Sequence, residues 1–124
     1  MINHKNTKIL GLYLLLFASL ANAQQFQCKW EVRKVEGGNF QPFPLNSVFP
    51  LEKTSSYLKF NDNTYGNPSV DRTPDGSIRT RYFQKNEDGV IWQATFGIMA
   101  NGQTQLYLTD SKTKAVVAGI CFQR

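Results

Sequence analysis

Hydrophobic and polar residues alternate along most of this chain. Phe26, Cys28, Trp30 and Val32 alternate with Gln27, Lys29, Glu31 and Arg33. Successive side chains of a strand point to opposite faces, so this run reads as a half-buried strand with its charged side outward. Ser56–Phe60 reads as a second, shorter strand, ended by Asn61-Asp62-Asn63. In Ile78–Phe83, Ile78, Thr80 and Tyr82 form one face, and Arg79, Arg81 and Phe83 the other. In Val90–Met99, Val90, Trp92, Ala94, Phe96 and Ile98 fall on one side. Gln103–Thr109 is a fifth strand, and Ala115–Phe122 a sixth that reads as buried on both faces. Beyond residue 23 no stretch has the apolar spacing of a long helix.

Turn residues separate these runs. Asn101-Gly102 is the pair favoured in a two-residue hairpin turn, where both central residues need positive φ. Thr73-Pro74-Asp75-Gly76, Glu87-Asp88-Gly89 and Asp110-Ser111-Lys112 read as further tight turns. The last four strands therefore form an antiparallel meander. The expected fold is all-β: a small antiparallel barrel or sandwich of about six to eight strands, since closure removes exposed edges. Additional strands fit inside Phe40–Leu51 or Tyr65–Val70.

Glu36–Ser55 breaks the alternation with Pro42, Pro44 and Pro50 and with Phe40, Phe43 and Phe49. Each proline pushes its predecessor toward extended geometry. A long irregular stretch in a compact domain is functional or disordered as a rule, and three phenylalanines argue against disorder. Two roles stand: a plug over one end of the fold, or an exposed aromatic edge that grips a partner.

Met1–Ala23 has the three parts of a secretory signal: a basic start, the apolar run Ile9–Ala18, and Ala21-Asn22-Ala23 before the cut. Ten apolar residues on a helix span about 15 Å, half of a bilayer core, so a stable membrane anchor is not expected. The expected mature chain is a single domain, 24–124, in the periplasm or the medium. Its charge falls from +5 to +3 with the loss of Lys5 and Lys8. Its only histidine, His4, is lost as well. Cys28 and Cys121 remain, and in an oxidising compartment two cysteines pair. The pairing would join the first and last strands, which must then be neighbours.

Chemistry follows from this inventory. Without histidine no Ser-His-Asp or Cys-His arrangement forms, and paired cysteines make neither nucleophiles nor zinc ligands. Hydrolysis by two carboxylates is still conceivable but poorly supported, since most acids lie in turns or on charged strand faces. Asn61-x-Asn63-x-Tyr65-Gly66 imitates the start of a calcium loop, but its twelfth position is Arg72 rather than Glu, so it reads as a turn. No metal or cofactor is expected. The distinctive charge feature is Arg72, Arg79, Arg81 and Lys85 beside Tyr82 and Phe83. Basic residues among aromatics bind anions. The export signal makes nucleic acid a poor partner and favours an acidic protein patch or an anionic envelope component.

The candidate binding surface is thus Phe40, Phe43 and Phe49 together with Arg72, Arg79, Arg81 and Lys85. Three function classes fit: a non-enzymatic binding or inhibitor-type protein, a small-ligand or lipid carrier with a lipocalin-like cavity, and an envelope-assembly component. An exported β-domain that begins Phe26-Gln27-Cys28 and carries Cys121 in its last strand is similar to bacterial periplasmic inhibitors of c-type lysozyme. The resemblance covers the ends and the architecture. The family's Ser/Gly-rich inhibitory loop has no counterpart, since the nearest stretch, Asp75-Gly76-Ser77-Ile78-Arg79, does not match. No functional residue is carried over, and a net positive chain would be repelled by a strongly basic lysozyme.

Overall fold

A computed structural model describes residues 23–124, and the expected leader, apart from Ala23, lies outside them. The strands are β1 (Gln24–Lys34), β2 (Gln41–Pro42), β3 (Val48–Lys53), β4 (Leu58–Phe60), β5 (Asn63–Arg72), β6 (Ile78–Lys85), β7 (Ile91–Ile98), β8 (Thr104–Asp110) and β9 (Val116–Gln123). From β3 onward each strand pairs antiparallel with the next, and β9 returns to pair with β1. The sheet therefore closes into an eight-strand barrel, with β2 as a two-residue addition beside β1. Among the described residues no helix forms.

Cys28 and Cys121 lie directly opposite each other on β1 and β9 and form a disulfide. The expected adjacency of the first and last strands holds. β2 and the first part of β3 lie inside Phe40–Leu51, and β5 spans Tyr65–Val70, the two stretches with room for additional strands. Pro50 pairs with Gln27, while β4 stops at Phe60, opposite Leu51. Beside Pro50 one edge of β3 faces no strand, so the missing N–H takes no bond from the ladder.

Three hairpins share one loop design. In 73–77, 86–90 and 99–103 the first residue's N–H donates to the fifth residue's carbonyl, and the fourth residue's N–H donates to the first residue's carbonyl. The fourth residue is Gly76, Gly89 or Gly102, each with φ between 86° and 89°. The third is Asp75, Asp88 or Asn101, whose Oδ1 accepts the N–H of the fifth. This is the three-residue loop with a left-handed glycine. Asn101-Gly102 is thus not a two-residue turn. That turn falls at Asn61-Asp62, where φ is 51° and 64°, between the paired Phe60 and Asn63.

The alternation in β1 breaks once. Trp30 pairs with Gly119, but Val32 pairs with Ala118, so Glu31 is an extra residue. A bulge of this kind shifts every later side chain to the other face. Val32 joins the outward row Arg81–Thr95–Tyr107–Ala118 instead of the inward set. β9 is likewise not buried throughout: Ala118, Gly119 and Cys121 are buried, whereas Phe122 is 62% exposed.

The barrel interior is filled. Tyr82, Phe96, Leu51, Leu58 and Leu106 are fully buried, and the Phe26 and Phe96 ring centroids lie 4.9 Å apart. The Tyr82 hydroxyl donates to the Thr54 carbonyl at 2.9 Å. The two ends of the barrel differ. The terminal end holds Gln24, the turns at 54–57, 73–77 and 99–103, and the C-terminus, where the Arg124 N–H donates to the Gln25 carbonyl at 2.9 Å. The opposite end, here the tryptophan end, carries the segment 35–47 and the turns at 61–62, 86–90 and 110–115.

Candidate binding surfaces

The four basic candidates do not form one cluster. Arg79 and Arg81 share the outer face of β6, as the alternation requires. Arg81 pairs across the sheet with Ser69 and Thr95, and Arg79 with Asp71 and Gly97. Together with Asp71, Gln93, Thr95 and Tyr107 they line an open hollow of about 380 Å³. The Arg81 Nη2 reaches the Asp71 carboxylate at 2.8 Å. The Arg81 Nε is buried without a hydrogen-bond partner. The Arg79 stem lies alongside Gly97, where an added Cβ would stand 3.9 Å from Arg79 Cγ, in ordinary contact. Among the described residues Arg79 has no ion pair. On the far wall the Tyr107 hydroxyl donates to Gln105 Oε1 at 2.8 Å, which fixes the ring.

Arg72 belongs elsewhere, at the terminal end. It lines a cavity of about 300 Å³ with Lys53, Val70, Ile78, Phe96 and Ile98. There the Lys53 ammonium stands 5.7 Å from the Phe96 ring centroid, and burial holds its pKa below the ordinary lysine value. Lys85 is exposed at the tryptophan end, beside Glu87 and Asp88.

The three phenylalanines are divided as well. Phe49 is 8% exposed and packs on Trp30 and Phe60, with centroids 5.2 and 5.7 Å away. It is a core residue rather than part of an exposed edge, because β3 pairing turns it to the same face as Cys28. Phe43 is half-buried, its N–H bound to the Glu31 carbonyl. Phe40 is 48% exposed, with the Lys34 ammonium 5.0 Å from its ring, and Val35, Leu45 and Val48 are exposed on the same segment. The segment thus places Phe49 in the core and leaves Phe40 on the surface.

A third surface, the mouth at the tryptophan end, is built on two tryptophans for which sequence reasoning favoured core packing over ligand stacking. Trp30, Phe60, Tyr65, Trp92 and Leu108 surround a cavity of about 300 Å³ whose rim is Asn61, Asn63, Gln84 and Asn86. Both tryptophans have the inward parity of their strands, which reads as core, and they are in fact only partly buried against it. The signal that was present is the cluster of amides in the two adjoining turns.

Among the described residues no group of three or more His, Cys, Asp or Glu is placed to hold a metal ion. No protein-family model, curated protein or solved structure matches the chain.

Proposed function

We propose that this chain is an exported, non-enzymatic binding protein that grips an acidic group on its partner with the outer face of β5–β8. The observation that carries this reading is the pairing of Arg79 and Arg81 in one hollow with different bonding states. Asp71 holds Arg81 in place, which orients the guanidinium plane without demanding side-chain order at the moment of binding. Arg79 keeps its donors for an incoming group. A guanidinium fork matches a carboxylate or phosphate in two parallel hydrogen bonds, and the Tyr107 wall adds apolar contact. The disulfide suits an oxidising compartment, which supports export and argues against nucleic acid as the partner.

Capture from a periplasmic extract and from host fluid tests this reading, using the oxidised protein and its Arg79→Ala/Arg81→Ala variant. The expected result is a partner retained by the wild type, released by moderate salt and lost with the double variant. Equal capture by both proteins removes the outer face as the binding surface.

A second reading, a small-ligand carrier, draws support from the closed barrel and its two end cavities. The filled middle, with Tyr82 and Phe96 fully buried, restricts such a ligand to one mouth.

A further inference from the structure

We propose that the mouth at the tryptophan end is a binding site for one uncharged saccharide ring. It lies apart from the Arg79–Arg81 hollow and does not depend on it.

The lining chemistry selects the ligand. Its walls are the aromatic rings of Trp30, Phe60, Tyr65 and Trp92, and its rim is made of side-chain amides with no charged group. The rings are already fixed against one another. Phe60 and Tyr65 stack with centroids 5.0 Å apart and planes 18° apart, and Trp30 sits 6.1 Å from Phe60. A fixed platform costs little ordering on binding.

Some polar groups at the mouth are bonded to one another, since Asn63 Nδ2 donates to the Asn61 carbonyl at 3.0 Å and Gln84 Nε2 to Asn63 Oδ1 at 3.5 Å, but others keep free capacity. Tyr65 is 3% exposed and lines the mouth, and among the described residues its hydroxyl has no hydrogen-bond partner. The same holds for the indole N–H groups of Trp30 and Trp92, which have no acceptor among the described residues and are not sealed. Gln84 Nε2 is turned to the Thr64 carbonyl at 3.3 Å, which leaves its Oε1 as an acceptor.

An alkyl ligand would strip water from these donors and acceptors and return nothing, which is costly. A charged ligand would find no counter-charge in the lining. A sugar ring answers both demands. Its C–H faces carry slight positive charge and suit the negative faces of aromatic rings. Its hydroxyls donate and accept, as amides and a phenol do. A cavity of about 300 Å³ is at the small end of ligand sites, which limits the ligand to about one ring with the rest of a chain outside.

The test is titration of the oxidised protein with N-acetylglucosamine, methyl β-glucoside and short β-linked N-acetylglucosamine oligomers. Tryptophan emission and the NMR signals of the two indole N–H groups report on the mouth. The expected result is saturable binding, in the millimolar range for a single ring. Tyr65→Phe, which keeps the stacked ring, should weaken it about fivefold. Trp92→Ala should weaken it tenfold or more, and Arg79→Ala/Arg81→Ala should leave it unchanged. Unchanged affinity in a folded Tyr65→Phe variant, no saturable signal with any of the neutral sugars, or tighter binding of glucuronate or decanol than of every neutral sugar would overturn the proposal.

Discussion

Trp30 of β1 and Gly119 of β9 face each other across the seam that closes the barrel. A Cβ on Gly119 would stand 3.0 Å from the Trp30 Cα and only 2.2 Å from the Lys29 carbonyl oxygen. The backbones approach this closely beside the bulge at Glu31, and backbone cannot move aside as a side chain can. Gly119→Ala is expected to destabilise the protein by about 3 kcal/mol or more, at the upper end of overpacking costs. Gly97→Ala is the matched control on β7, where the nearest atom would be Arg79 Cγ at 3.9 Å. It should be neutral or gain up to about 1 kcal/mol. Urea unfolding of the two variants checks the contrast.

The Cys28–Cys121 bridge closes a loop spanning 93 residues of sequence. Restricting so long a loop in the unfolded chain is worth about 4–5 kcal/mol in the chain-entropy account. Cys28→Ala/Cys121→Ala, or reduction of the wild type, should therefore lower the unfolding free energy by about 2–5 kcal/mol. Guanidinium unfolding with and without reductant measures it. The reductant should leave the double variant unaffected.

Asp110 is expected to make stability sensitive to acid. The Thr113 hydroxyl and N–H donate to its carboxylate, as does the Lys112 N–H, and these bonds hold its pKa below the ordinary aspartate value. The folded chain gives up this proton at lower pH than the unfolded chain does. The unfolded state therefore binds more protons, and stability rises with pH across the interval. The contribution is complete above the unfolded value of about 3.9 and is lost as the pH falls through the lower folded value. Asp110→Asn should flatten the fall in urea midpoint below about pH 4 relative to wild type. An equally steep fall in the variant would assign the acid sensitivity to other carboxylates. Asp75, bonded by the Thr73 hydroxyl and the Ser77 N–H, shifts in the same direction.

Asn61 and Asp62 both hold positive φ without being glycine. Left-handed geometry costs a side chain about 1–2 kcal/mol, somewhat less for Asn and Asp. Asp62→Gly should therefore stabilise the hairpin by a few tenths to about 1 kcal/mol. Gly102→Ala, at φ 86°, should destabilise by a similar amount or more. Thermal unfolding midpoints moving the same way in both variants would contradict the turn assignments.

The fold was legible where one residue type controls one geometry. Period-two alternation fixed the faces of β6 and β7 because both strands pair without interruption along their lengths. It failed at Val32, because a bulge depends on how β9 docks and leaves no mark in β1 itself. It left β3 as no more than an additional strand with room inside Phe40–Leu51, since Pro50 looks disqualifying until β4 is seen to stop one residue short of it. The candidate surfaces divide in the same way. Arg79 and Arg81 were recognisable from parity on a single strand. Asp71 was not, since its place beside Arg81 depends on the register of β5, which is irregular between Gly66 and Ser69. The mouth was harder still, because inward parity marks Trp30 and Trp92 as core, and only closure of the barrel shows that they stand at its rim.

Both ends of the described chain meet at one pole of the barrel, where the Arg124 N–H is bonded to the Gln25 carbonyl. The aromatic mouth is at the other pole. Anything joined to either terminus, whether a purification tag, a surface tether or a second fused protein, would hold the barrel with its mouth pointing away from the attachment. Immobilisation through a terminus thus leaves the tryptophan end open to solvent.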